Sequence, residues 1–307
     1  MDDWIAKDAL KAVNRERLRI LSRKSDLRGA VQTASHLGAI GASTAALGWL
    51  APLQPWVLVP AFFAQGVLIN CLYAGQHELS HWTAFRTKWA NDGVGHLFAF
   101  ATLNPFITDR FLHFAHHRAT HDPARDPEIM GFGDYTLTTY LLDLTAISFW
   151  VRRVSGIART ALGRGLEGSY WLGPRERRIV VTEARIHVGL WLALATVSVA
   201  AQSWVLAWFW IAPMLATKWF HQLQNLGEHT GLPHVADIFA NTRTLSGPAP
   251  MRWLMWNMSW HTAHHAFPGV PFHALPALHR EIAARRQVPT RGYLAAQRDI
   301  FAGLLKA

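Results

Sequence analysis

Eight of the chain's 17 histidines fall in three short clusters whose spacing suits metal coordination. The first is His77-Glu-Leu-Ser-His81. An i,i+4 pair lies on one face of a helix, so both imidazoles can reach the same point. The second is His113-Phe-Ala-His116-His117, and the third, His261-Thr-Ala-His264-His265, repeats its spacing. Here the i, i+3 and i+4 positions share a face, and adjacent histidines can divide between two nearby ions. A further histidine stands alone in Asn225-Leu-Gly-Glu-His229-Thr-Gly-Leu. One isolated HxxxH pair is more often a satisfied or surface pair than a ligand set. Two HxxHH clusters together with one HxxxH are not a chance placement.

Neutral imidazole suits iron, zinc, copper and nickel. A structural zinc ion takes four ligands and leaves no use for nine. Nine nitrogens fit two ions of five or six coordination with positions left open, and a pair of iron ions can share the electrons that O2 activation needs. Soluble di-iron bundles rely mainly on carboxylates and a Glu-x-x-His motif, so this would be a histidine-dominated counterpart. With few anionic ligands the site stays cationic, and its electrons must be delivered from outside.

The elements that position these clusters read as membrane helices. Hydrophobic residues make up 50% of the chain and charged residues 16%, against about 25% charged in a soluble domain. The 15 tryptophans fit a water–bilayer interface. From Val31 to Gln76 there are 46 residues without Asp, Glu, Lys or Arg, enough for two crossings of about 20 residues each. Helices are expected at 31–50 and 55–76, with Ala51-Pro-Leu-Gln-Pro55 as the turn. A second uncharged run, Ile186 to Thr217, covers 32 residues and turns at Ala201-Gln-Ser203. Its second helix should continue toward Gln224, with the Lys218 amine reaching the interface; an inward-facing Lys218 would instead be functional.

Basic residues set the orientation. Residues 1–30 carry eight Lys or Arg, 77–185 carry thirteen and 218–307 carry nine, whereas both turns carry none. The positive-inside rule then puts both termini and the central segment in the cytoplasm. Val94 to Phe106 and Tyr135 to Val151 are apolar but too short or interrupted to span, and read as interfacial or re-entrant helices. The stretch Arg152 to Arg178 reads as a surface connection. The expected architecture is an all-α integral membrane protein, a single domain over 1–307. It has a basic N-terminal segment (1–30), a first membrane hairpin (31–76), a cytoplasmic segment with two histidine clusters (77–185), a second hairpin (186–224) and a last cytoplasmic segment (225–307). That makes about four spans under a helical cap.

The net charge of +10 points to anionic headgroups and an acidic electron-transfer protein, not to nucleic acid, because no RNA-reading motif accompanies it. The single cysteine, Cys71, leaves no internal disulfide or multi-thiolate site and reads as a small buried residue. The charged N-terminus shows no cleavable signal peptide.

These clusters resemble the histidine boxes of the membrane fatty acid desaturase and hydroxylase superfamily. The resemblance runs from about Leu72 to His279, with HELSH, HFAHH and HTAHH in the family's order around the second hairpin. His117-Arg-Ala-Thr-His-Asp-Pro-Ala-Arg-Asp-Pro-Glu128 is similar to the extension after the second box in bacterial desaturases. Trp256-Asn-Met-Ser-Trp-His261 and Val270-Pro-Phe-His273-Ala-Leu-Pro276 are also family-like. Asn225-Leu-Gly-Glu228-His229-Thr-Gly231 resembles an element of alkane monooxygenases, and the whole pattern resembles a bacterial rhizopine-oxygenase-like branch.

The resemblance implies two iron ions held by His77, His81, His113, His116, His117, His229, His261, His264 and His265. Asn225, one turn before His229, is added because acyl-CoA desaturases hold a metal-bound water with an Asn at that spacing. It further implies O2 as co-substrate, and an inner (cytoplasmic) bacterial membrane location. Electrons would come from a separate ferredoxin or Rieske-type ferredoxin with its reductase, since no cytochrome domain is fused at either end. The substrate would be a fatty-acyl or other lipid-like chain that is desaturated or hydroxylated.

His121, at i+4 from His117, competes for a ligand role, and His221 lies two turns before His229. His36, His96, His187, His234, His273 and His279 read as packing or interfacial residues. Glu78, Asp126, Glu128 and Glu228 are candidates to orient imidazoles, with a helix cap or surface pair as the plain alternative. A metal transporter is the rival reading, but transport sites lie at the bilayer midplane on broken helices, whereas these clusters lie at span ends. A lipid-binding scaffold would have no use for nine convergent imidazoles.

Overall fold

The structure is a computed structural model and describes residues 12–50, 55–130 and 135–306. The expected turn at Ala51–Gln54 lies outside the described residues, as does the start of the basic N-terminal segment. The chain is built almost wholly from helices. After α1 (Arg15–Leu21) come two long helices, α2 (Asp26–Leu50) and α3 (Pro55–Ser80). Shorter helices follow: α4 (Lys88–Ala101), α5 (Phe106–Arg118), α6 (Leu137–Leu144) and α7 (Ile147–Ala161). Two further long helices, α8 (Pro174–Ala200) and α9 (Ala212–His229), are joined through a π-helical turn at Ala207–Ile211. The C-terminal part contains α10 (Ile238–Asn241), α11 (Ala249–Leu254), α12 (His261–Ala266), α13 (Leu275–Glu281) and α14 (Tyr293–Leu304). Among the described residues the only strands are β1 (Leu245–Ser246) and β2 (Arg291–Gly292), which pair in parallel.

Among the described residues two helices are long and apolar enough to cross a membrane, Leu58–Ser80 with mean hydropathy 1.5 and Pro174–Ala200 with 1.4. Both outrun the uncharged stretches that announced them. Helix α3 continues past Gln76 to Ser80, so His77 lies on its last turn and not beyond it. Helix α8 starts at Pro174 with its polar turns already helical, and α9 ends at His229, five residues past Gln224. Hydrogen bonding, not charge, decides where a helix stops. The apolar stretch 135–151 is split by Ala146, whose φ of 60° interrupts the helical path between α6 and α7. Residues Arg152 to Ala161, expected in a connection, belong to α7.

Helix α3 is the spine. It packs against α2, α4 and α9, and small residues permit the approach. A Cβ on Gly66 would fall 2.0 Å from the Pro213 carbonyl oxygen, and one on Gly75 would fall 2.6 Å from the Phe98 ring. Asn70 Nδ2 donates to Met214 O (2.8 Å) and Thr217 Oγ1 (3.1 Å), linking α3 to α9. Gln65 Nε2 donates to Thr44 Oγ1 and to Phe209 O, both at 2.9 Å, so it satisfies a carbonyl inside the π turn that ordinary helix geometry would leave unpaired.

Below these helices a core of Leu72, Leu79, Phe98, Phe106, Trp256 and Phe272 fills the space between α3, α4 and the C-terminal segment, with Cys71 buried in it. Lys218 does not reach an interface. It is 3% exposed, with Nζ 4.2 Å from the Phe149 ring centroid and 3.3 Å from His221 Nδ1. Facing aromatic rings from α7 and α3 draw the ammonium inward.

Candidate metal centre

Four elements deliver the nine histidines to one place. Helix α3 brings His77 on its last turn, and His81 follows in the turn after it, its N–H donating to Glu78 O at 3.2 Å. The C-terminal half of α5 carries His113, His116 and His117. His229 is the last residue of α9, and α12 carries His261, His264 and His265. Two adjoining clusters result. His77, His81, His113, His117 and His264 each offer a ring nitrogen within 4.8 Å of the others, as do His116, His229 and His265. His261 Nε2 joins the second cluster at 3.1 Å from His229 Nε2 and 3.0 Å from His265 Nε2. The clusters touch where His117 stacks on His265, ring centroids 4.3 Å apart. Each HxxHH unit therefore splits as its spacing allows, with His113 and His117 on one side and His116 on the other, then His264 apart from His261 and His265.

The first cluster contains contacts that hydrogen bonding cannot satisfy. His113 Nε2 lies 2.8 Å from both His81 Nε2 and His117 Nε2, and His117 Nε2 is also 3.1 Å from His264 Nε2. His264 Nε2 in turn lies 2.8 Å from His77 Nε2. A ring nitrogen has one in-plane direction, holding either a proton or a lone pair, so it cannot serve two such neighbours. Nitrogens gathered at a common point are the donor set of a cation.

Electrostatics keep these lone pairs free. Burial, reinforced by neighbouring histidines, holds His113, His117, His261, His264 and His265 well below the ordinary imidazole range. Burial likewise lowers His81 to about 3. His116 differs. Burial alone would lower it, but Glu128, Asp126 and Glu228 carry it up to about 9: the carboxylates favour positive charge at that ring, and a cation bound at Nε2 would supply it in place of the Nε2 proton.

The pattern over the chain decides the family. The model of the fatty acid desaturase family matches residues 53–295. The chain belongs to the fatty acid desaturase family. As such it is a desaturase-type oxidoreductase of a membrane-associated family. It is similar to an sn-1 oleoyl-lipid 12-desaturase of Arthrospira platensis, with 23% identity over 287 residues, covering 85% of this chain and 77% of that protein. A protein of the same description from a Picosynechococcus species is 22% identical over 244 residues, covering 74% of this chain and 69% of the relative. An sn-1 acyl-lipid omega-3 desaturase (ferredoxin) of a Nostoc species is 33% identical over 69 residues, 22% of this chain and 19% of that protein.

In this desaturase the far side of several rings is fixed by a hydrogen bond. His229 Nδ1–H donates to Asn241 O (3.0 Å), and His116 Nδ1–H donates to both Asp126 oxygens (2.9 Å each). Thr120 Oγ1 spends its proton on His116 O (3.0 Å) and so accepts from His265 Nδ1–H (3.2 Å). All three bonds leave Nε2 as the inward lone pair, the tautomer that metal binding requires. Of the carboxylates singled out in the sequence, Asp126 orients a ring. Glu228 Oε1 lies 3.3 Å from His261 Nδ1, and a Glu128 oxygen 3.7 Å from His116 Nδ1. Glu78 instead accepts from the Phe272 N–H (2.9 Å) and anchors the C-terminal segment. Thr120 and Asn241 carried no sequence signal, because only tertiary packing brings them to the rings.

Asn225 lines the cavity beside the clusters, its Nδ2 donating to Gln222 Oε1 at 3.4 Å. His121 belongs to neither cluster. Its φ of 66° turns it away, its N–H donates to Asp126 (2.7 Å), and its Nδ1–H donates to Pro233 O (3.1 Å). His221 packs edge-on to Tyr73 with Nδ1 toward Lys218. His36, expected as a packing residue, is fully buried; its Nδ1 accepts from Trp256 Nε1–H (3.1 Å) and its Nε2–H donates to Leu68 O (2.9 Å).

The cavity next to the clusters has a volume of about 500 Å3, within the usual range for a ligand pocket. Its inner wall is made of His77, His113, His116, His229 and His261, and it runs outward past Tyr73, Leu112 and Phe149 to Arg152, Arg153 and Arg159. Mixed apolar walls ending in guanidinium groups suit an amphiphile whose chain reaches the imidazoles.

Proposed function

We propose that this desaturase acts on an acyl lipid and holds two iron ions, one in each histidine cluster. The assigned ligands are His77, His81, His113, His117 and His264 for one ion and His116, His229, His261 and His265 for the other, with Asn225 beside the open face. The single observation that carries this reading is the meeting of nine imidazoles, their Nε2 lone pairs directed inward, at the end of one cavity. When bound, such a pair supplies the O2 chemistry that removes two hydrogens from a saturated chain, two electrons and two protons completing the reduction of O2 to two waters. The chain's own groups position the substrate. Tyr73, Leu112 and Phe149 flank an apolar tail, and the outer arginines hold a polar head. Asp126, Thr120 and Asn241 keep His116, His265 and His229 in the metal-binding tautomer.

The proposed membrane arrangement has four spans, α2, α3, α8 and α9. At 1.5 Å per residue, the 25 residues of α2 reach roughly 37 Å, enough for a hydrocarbon core of about 30 Å. Support comes from Trp49, Trp56, Trp204 and Trp208, which are all exposed and flank the two hairpin turns where an aromatic belt belongs. The histidine clusters lie at the opposite helix ends, within the two segments, 77–185 and 218–307, that carry 22 of the 30 Lys and Arg. Exposed Ile147, Val151 and Val154 on α7 suit a helix lying in the interface of the same leaflet. Both termini then face the cytoplasm of a bacterium, where a ferredoxin and its reductase would deliver electrons. The net charge of +10 favours an acidic donor, and the Nostoc relative's description names ferredoxin.

Mass spectrometry of lipid products tests the activity, after expression with a ferredoxin and reductase. Desaturation predicts acyl chains lacking two hydrogens. Chains gaining one oxygen would assign hydroxylation instead, and unchanged lipids beside an iron-loaded, reducible enzyme would contradict the acyl-lipid reading.

A further inference from the structure

We propose a second cation site, built by His96, Glu183 and His187 and suited to a single Zn2+. None of the three residues belongs to the nine-imidazole centre. Helix α8 presents Glu183 and His187 at i,i+4, on one face, and α4 sets His96 opposite. One ligand atom from each lies within 4.8 Å of the other two. Glu183 and His187 are 7% and 5% exposed, whereas His96 is half exposed and leaves a path for an ion.

Two local facts ask for a cation. His187 Nδ1 is buried with no hydrogen-bond partner, an uncommon state for a buried polar group. Glu183 has no Lys or Arg ion-pair partner among the described residues, and its nearest cationic candidate is His96 Nδ1 at 3.7 Å. Two imidazoles and one carboxylate form a three-ligand zinc set with an open fourth position. All three residues line a cavity of about 410 Å3 whose wall also includes Arg175 and Arg178. The guanidinium groups weaken cation binding relative to a closed four-ligand site, and they favour an anionic oxygen as the fourth ligand.

The consequence reaches the nine-imidazole centre through α5. Glu183 Oε1 accepts from the Ile107 N–H (2.7 Å), and its Oε2 accepts from the Thr108 N–H and Oγ1–H (2.9 Å each). A bound ion would tie α4 and α8 to the start of the helix that carries His113, His116 and His117.

The test measures zinc and iron together in purified, iron-loaded enzyme equilibrated with Zn2+ in the presence of a weak chelator. The expected result is one zinc per chain above the iron, with a rise in Tm. His96→Ala and His187→Ala should bind zinc at least tenfold more weakly, about the smallest loss seen when even an outer partner of a ligand is removed, with iron content unchanged. His96→Cys should restore binding through its thiolate. His264→Ala should lose iron and keep the zinc. The proposal is overturned if no zinc binds above the iron, if zinc survives in His96→Ala, or if zinc disappears with His264→Ala alone. Since His96 is half exposed, its replacement leaves the core intact and keeps the comparison readable.

Discussion

A neutral imidazole offers a single inward lone pair, so the group on the far side of each ring matters as much as the ring itself. Asp126 shows this at His116. The carboxylate accepts the Nδ1 proton, also accepts the backbone N–H of His121 and Glu128, and so fixes both the ring and the turn that follows α5. Asp126→Asn keeps the size but removes the charge. We expect iron retention against a chelator to fall by roughly 10–100-fold with little change in expression; retention equal to the wild type would show that Asp126 shapes only the turn. The residue scale was also where the sequence spoke most clearly. HxxHH spacing alone separates His116 from His113 and His117, because successive helical positions point in different directions. The partners Thr120 and Asn241 were silent, since a hydroxyl or a backbone carbonyl carries no spacing signature. His121 was legible only as a rival, because its exclusion depends on a left-handed backbone that no local residue type announces.

Between elements, the decisive contact is α3 against α9. These two helices carry His77 and His229, one ligand candidate of each cluster, and Gly66 sets their separation. Gly66→Val would drive a side chain into the Pro213 carbonyl. Overpacking of this kind costs about 1–3 kcal/mol, and here the obstacle is backbone with little room to yield. We expect Tm and bound iron to fall together in Gly66→Val; a lower Tm with full iron content would place the alignment of the clusters elsewhere. Charge-free runs disclosed the cores of the long helices, because their central turns are apolar. They misplaced the ends, since Pro174 to Arg185 and Asn225 to His229 are polar yet remain hydrogen-bonded as helix. Long amines usually reach outward, and Phe149, far away in sequence, is what turns Lys218 inward.

At the scale of the molecule, the nine clustered histidines lie toward one end of α3 and α9, and the exposed Trp49, Trp56, Trp204 and Trp208 lie toward the other end of the long helices. In the sequence, the placement of Lys and Arg implies such a polarity, whereas the tryptophans speak there only through their number. The cavity was not legible there, for its walls come from α3, α5, α7 and α9 together. The division of nine imidazoles into clusters of five and four, touching through His117 and His265, is the central claim that the whole arrangement serves. Iron quantification in the purified enzyme, by elemental analysis with Mössbauer spectroscopy, tests it most directly. The account predicts two irons per chain in a nitrogen-rich environment, falling to one or none in His264→Ala with loss of turnover. Two irons and full turnover in His264→Ala, or a wild-type enzyme that is active with no more than one iron, would contradict it.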